Sequence, residues 1–94
     1  MGIVVRYTPR QSITPEQYDS ADQRFNELFG EELPDGCTMH VAFVGADGNI
    51  RVSEIWESRE QWQAFGERLM PMLGELGIDP GEPEVFDIHR LQTQ

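Results

Sequence analysis

The side chains able to move a proton near neutral pH are few in this chain, and they fall on extended segments. His40 sits in Met39-His40-Val41, a run otherwise apolar, and His89 follows Asp87 by two residues near the C-terminus. A neutral imidazole with a pKa near about 6.5 can accept a proton from a phenolic hydroxyl, so each is a candidate general base; the commoner role is a structural or rim histidine. Asp87 and His89 would share one face of a strand, where the carboxylate could orient the ring. Two separated histidines and a lone Cys37 give no metal-ligand spacing, so no metal is expected, and Cys37 reads as a small half-buried strand residue.

Trp56 is large enough to line a pocket, although a core aromatic at a strand end is its commoner use. Glu54, two residues earlier on the same face, would put a carboxylate among Val52, Trp56 and Val41, which requires a partner. Arg6 and Arg51 are the nearest cationic candidates, within the chain or across a dimer. With a two-residue hairpin loop at Asp47-Gly48, residues in register sum to 95, so His40 faces Ile55 and Met39 faces Trp56. His40 and Trp56 then point to opposite sheet faces; a bulge or a loop one residue longer would reverse this.

The elements that must position these groups are legible. Gly2 to Thr8 is β-branched and aromatic and stops at Pro9, the first strand. Thr14, Pro15 and Gln17 are an N-cap, an N1 proline and the N3 member of a capping box, with Ile13 placed to staple onto Tyr18. Tyr18, Ala21, Phe25, Leu28 and Phe29 then form one helical stripe, predicting a helix over 15–29 that Gly30 stops. Cys37 to Ala46 and Asn49 to Glu57 are extended runs around Asp47-Gly48, a hairpin signal of type I′. Ser58 repeats the capping logic with Gln61, and Trp62, Phe65, Leu69, Met72 and Leu73 repeat the stripe at the same offsets. Pro71 predicts a kink or break near Met70, Gly77 a stop, Asp79-Pro80-Gly81 a turn, and 84–91 the last strand.

Strand, helix, strand, strand, helix, strand is the order of the ferredoxin-like α+β fold, a four-stranded antiparallel sheet with two helices on one face, here one domain over 1–94. Ile3-Val4-Val5, Val41-Ala42-Phe43-Val44 and Val85-Phe86 are apolar at consecutive positions, so both sheet faces carry apolar side chains while helices cover one. A second copy of the chain is the expected cover.

Composition narrows the partners. Ninety-four residues support one core, and 38% hydrophobic residues argue against disorder. Seventeen acidic residues stand against seven arginines and no lysine, a net charge of −10, which disfavours nucleic acid and anionic membrane. No apolar run is long enough to span a bilayer and no signal peptide is visible, so a cytoplasmic protein is expected. There is no Gly-rich phosphate loop, nucleophile elbow or Cys-x-x-Cys, and no cofactor is expected.

The segment Gly48-x-x-x-Val52-x-x-Ile55-Trp56-Glu57-Ser58-x-Glu60 resembles the strand-to-helix junction of the dimeric α/β-barrel superfamily, which includes the antibiotic-biosynthesis monooxygenases. The resemblance implies a homodimer whose sheets face each other, with a small-molecule cavity between sheet and helices. It brings in relatives that oxidise polycyclic phenols without a cofactor, degrade haem or isomerise lactones. Active relatives commonly carry a histidine on the second helix nine residues after the junction Trp, and here that position is Phe65. Candidate ligand-binding residues are therefore Trp56, His40, Phe65 and Tyr18, with His40 and His89 as the catalytic candidates. Two classes of function follow: binding of a small apolar or aromatic molecule, with cofactor-independent oxygenation as its enzymatic form, or a non-catalytic interaction dimer.

Overall fold

A computed structural model describes residues 2–94. The elements run β1 (Ile3–Tyr7), α1 (Pro15–Phe29), β2 (Cys37–Val44), β3 (Ile50–Trp56), α2 (Arg59–Glu75) and β4 (Glu84–Asp87). Strand order is β2-β3-β1-β4 with every pair antiparallel, the ferredoxin-like arrangement expected from the element order.

Both helices begin where their caps place them. Thr14 and Gln17 form a reciprocal capping box, with Pro15 following at N1. Buried Ile13 sits just before the cap, and its carbonyl accepts from the Ile50 N–H at 2.9 Å, tying the start of α1 to the start of β3. At α2 the Ser58 hydroxyl accepts from the Gln61 N–H at 3.2 Å and donates to Gln61 Oε1 at 2.9 Å. That second contact differs from the α1 box: Gln61 binds the Ser58 hydroxyl instead of the cap backbone, and its amide reaches Asp35.

Three local expectations are corrected. First, α2 runs unbroken through Pro71; Glu67 and Pro71 both lie on the exposed side, where water can serve the carbonyl that lost its donor, while buried Met72 holds the helix down. Gly77, at φ 70°, closes this helix, the Ile78 N–H reaching back to the Leu73 carbonyl at 2.9 Å in a Schellman motif. Second, β4 ends at Asp87, because β1, its one neighbour, begins opposite it at Ile3; the Ile88 N–H makes the last bond, to the Gly2 carbonyl. His89 therefore lies in an exposed bend and not on a strand face beside Asp87.

Third, the hairpin loop is longer by one. Gly45 and Asn49 close it, the Gly48 N–H bonds the Gly45 carbonyl at 2.9 Å, and Gly48 alone takes positive φ, at 83°. This is a three-residue loop with a left-handed glycine, not a type I′ turn, since Asp47 stays at negative φ and spends its carboxylate on the Asn49 N–H and the Arg51 guanidinium. Val44 pairs with Ile50 and His40 with Glu54, so pairs sum to 94; an irregularity between Cys37 and Met39 then puts Cys37 opposite Trp56. His40, Glu54 and Trp56 consequently share the helix-side face.

That face carries the core: Ile3, Val5, Cys37, Trp56 and Phe65 are buried together, flanked by Tyr7, Phe25, Trp62, Leu69 and Val85. The opposite face holds Met39, Val41, Phe43 and Phe86, all at least 40% exposed. Replacing Ser58 with Ala removes the cap acceptor and should cost about 1 kcal/mol, lowering the melting temperature by roughly 4–8 °C in a domain this size. A thermal melt that does not move would mean that the Ser58 hydroxyl does not hold the start of α2.

Candidate functional site

Glu54 is the centre of the helix-side face. Its carboxylate is only 13% exposed, and each oxygen has its own donor: Oε1 accepts from Trp56 Nε1 at 3.1 Å, and Oε2 lies 2.8 Å from His40 Nδ1. The indole can only donate and an ionised carboxylate can only accept, so the neutral imidazole carries its proton on Nδ1. His40 Nε2 is then an acceptor, and the Tyr18 hydroxyl donates to it at 2.7 Å. Trp56, Glu54, His40 and Tyr18 form one hydrogen-bonded line from the buried core to the partly open side between α1 and β2.

Cross-strand pairing brings His40 to Glu54, the two-residue repeat of β3 brings Trp56 beside Glu54, and the cap at Thr14 sets the turn of α1 that carries Tyr18. Arg6 and Arg51 are not the partners of Glu54. They pair opposite Ser53 and Phe43 and belong to the other face. A second hydrogen bond, from Trp62 Nε1 to Tyr7 Oη at 2.7 Å, joins α2 to β1; nothing local in the sequence signals it, since Trp62 reads as one more stripe residue.

Burial and the Glu54 charge act on every weak acid around this carboxylate. Burial pushes the Tyr7 phenol up to about 12, opposed by the Trp62 N–H and helped by Glu54. Tyr18 is also raised to about 12, by burial and then by Asp22, Glu54 and Asp19. Cys37 is raised to about 11 by burial and Glu54, so the thiol stays protonated and is no nucleophile at neutral pH. No group of three or more metal-ligating side chains occurs among the described residues. The arrangement is suited to accepting a proton, with the resulting imidazolium stabilised by an adjacent carboxylate.

Of the other candidates, Phe65 is buried against Trp56 with ring centroids 5.7 Å apart. Its far side meets a cleft of about 360 Å³ between the helices and the loop after α1, walled by Phe25, Phe29, Gln61 and Arg68. The Arg68 guanidinium lies 5.0 Å over the Phe29 ring. His40, Tyr18 and Trp56 do not line that cleft, and Phe65 stands between it and Trp56. His89 lies two residues past the end of β4 and is exposed.

No family model matches the chain, and no curated protein matches it. Solved structures do. SnoaB, a cofactor-independent oxygenase from Streptomyces nogalater, aligns over 99% of this chain and 96% of its own at 17% identity, with a TM-score of 0.63. A Deinococcus radiodurans protein described as a candidate antibiotic biosynthesis monooxygenase covers 100% of this chain and 98% of its own at 12% identity, TM-score 0.61. Rv0793 from Mycobacterium tuberculosis covers 98% and 95% at 17% identity, TM-score 0.53. The chain thus has the fold of antibiotic-biosynthesis-monooxygenase-like proteins.

An alkaline titration checks the site's electrostatics, because the chain has two tyrosines. Both phenols are raised in the folded protein, from about 10 unfolded to about 12. The stability they contribute is whole below pH 10 and lost as pH rises through 12. Tyrosinate absorbance should therefore stay low at pH 11 in the folded protein and be largely developed in denaturant. A native curve that coincides with the denatured one would show that neither hydroxyl is held in this network.

Proposed function

We propose that this chain binds a small, flat, weakly acidic aromatic molecule on the helix side of its sheet and accepts the proton of that molecule's hydroxyl through His40. The observation that carries the reading is the Glu54–His40 pair, a carboxylate holding an imidazole in the tautomer whose Nε2 lone pair faces the Tyr18 hydroxyl on the partly open side. The fold shared with SnoaB, a cofactor-independent oxygenase, supports the same direction. An electron-rich phenolate can react with dioxygen directly; with the ring hydrogen lost, phenol plus O2 balances as quinone plus water. A polyanionic ligand is disfavoured by a net charge of −10.

A second reading, non-catalytic binding, is favoured by the cleft walled by Phe25, Phe29 and Phe65, whose lining contains neither His40 nor Tyr18. In both readings the working unit is a homodimer, its sheets packed through Met39, Val41, Phe43 and Phe86. Roughly 400 Å² of apolar surface buried on each copy, at about 25 cal/mol per Å², corresponds to about 20 kcal/mol, above the roughly 4–15 kcal/mol that association costs.

Two measurements test this. Light scattering should give twice the chain mass, and Phe43→Glu should reduce it to one chain; a wild-type monomer at high concentration would remove the paired-sheet assembly. With 4-nitrophenol and 1-naphthol as probes, the wild-type protein should raise the phenolate fraction of the bound probe at a pH below its free pKa. His40→Gln should lower that fraction at least about tenfold, equivalent to one pKa unit. Oxygen uptake with 1-naphthol would support the oxygenase form. Binding that shifts amide signals around Phe29 and Phe65 alone, without ionisation, would favour the carrier.

A further inference from the structure

Both nitrogens of the His40 ring are already engaged, Nδ1 with Glu54 Oε2 at 2.8 Å and Nε2 with Tyr18 Oη at 2.7 Å. The imidazole therefore has no free lone pair to offer a ligand. The Tyr18 oxygen does, since its one proton goes to His40 and no donor among the described residues fills its remaining acceptor capacity. Tyr18 is half-buried at the start of α1, over the side of the sheet where β2 presents His40 and the small Ala42. The ring planes of Tyr18 and His40 lie 18° apart with centroids 6.3 Å apart, so the hydroxyl is held in line with the acceptor nitrogen.

We propose that Tyr18, not His40, is the catalytic residue that meets the ligand, and that it relays the proton. The inference rests on the proton-accepting site set out above and assigns the atom at its front. The ligand O–H bond breaks as its hydrogen passes to Tyr18 Oη; the original Tyr18 O–H bond breaks as that hydrogen passes to His40 Nε2. Tyr18 ends neutral, the ligand is an oxyanion, and the new imidazolium lies beside the Glu54 carboxylate, which acts as a positioning residue. Two protons move together because a free tyrosinate here is costly: burial, Asp22, Glu54 and Asp19 all oppose it. The relay selects a ligand whose acidic hydrogen is on oxygen, able to both donate to and accept from a phenol oxygen.

The test compares wild type, Tyr18→Phe and His40→Gln with 4-nitrophenol as probe. The relay predicts that Tyr18→Phe still binds the probe but lowers the ionised fraction at least tenfold, although the His40–Glu54 pair is intact. If Tyr18→Phe ionises the probe as well as wild type or better, His40 acts directly and the relay is wrong. If His40→Gln leaves ionisation unchanged, or wild type never ionises the probe, the proton-accepting site itself fails and the relay falls with it. Nitrogen NMR of the ligand-free wild type gives an arm that needs no variant. His40 should be the Nδ1–H tautomer with Nε2 accepting a hydrogen bond, and an Nε2–H tautomer would overturn the relay.

Discussion

Everything on the helix side of the sheet depends on the length of the loop between β2 and β3. Side chains alternate along a strand, so one residue more or less in that loop exchanges the two faces of β2. With Ala46, Asp47 and Gly48 outside the pairing, His40 stands beside Glu54; with only Asp47 and Gly48 outside, Val41 would take its place and an aliphatic side chain would face the carboxylate. The loop is held by chemistry of its own. Asp47, exposed on the turn, accepts the Asn49 N–H and pairs with Arg51 at 2.9 Å, and these contacts keep its carboxyl down near about 2. The turn is therefore ionised and closed throughout the physiological range.

The same register explains why a carboxylate is tolerated under two helices. Glu54 lies in a face otherwise occupied by Val5, Trp56 and Val85, where an unpaired charge would be strongly disfavoured. Removing its two donors would leave the charge without partners, and removing Glu54 would strand the N–H of Trp56, a side chain with no exposure at all. Core and site are thus one network. α1 has no fully buried residue of its own, so Tyr18 on His40 and the edge-to-face cluster of Phe25, Phe29 and Phe65 do much of the work of holding that helix to the rest.

Element order, both helix starts, the two stripes and the apolar character of both sheet faces were legible in the sequence, because caps, periodicity and alternation are local signals. The site was legible in its members and not in its geometry. Glu54 stands out as a carboxylate needing a partner, and on charge alone Arg6 and Arg51 are the natural ones; register sends both to the other face, and the partner is the imidazole of His40. Asp-Gly pointed to a two-residue turn because both residues accept positive φ, but here the glycine alone adopts it and the aspartate caps the loop with its side chain. Pro71 and the length of β4 escape a local reading for a related reason: whether a lost hydrogen bond matters depends on what lies beside it, and that is tertiary information. Trp62 on Tyr7 spans 55 positions and has no local signature.

The missing helix histidine takes on a different meaning once the packing is known. Phe65 fills the position with an apolar ring that closes over Trp56 and shuts the inter-helix cleft off from Glu54. A histidine there would have to leave its ring nitrogens unpaired among Phe25, Phe29 and Trp56, or open the core to water. With phenylalanine, the apolar side of Trp56 is sealed and its one polar atom turns the other way, toward Glu54. The polar side chains that meet Glu54 across the strands and from α1 are thereby gathered on the β2 side, under Tyr18. That arrangement leaves the carboxylate to Trp56 and His40, so a single charge can both satisfy the buried indole and support a proton on the imidazole.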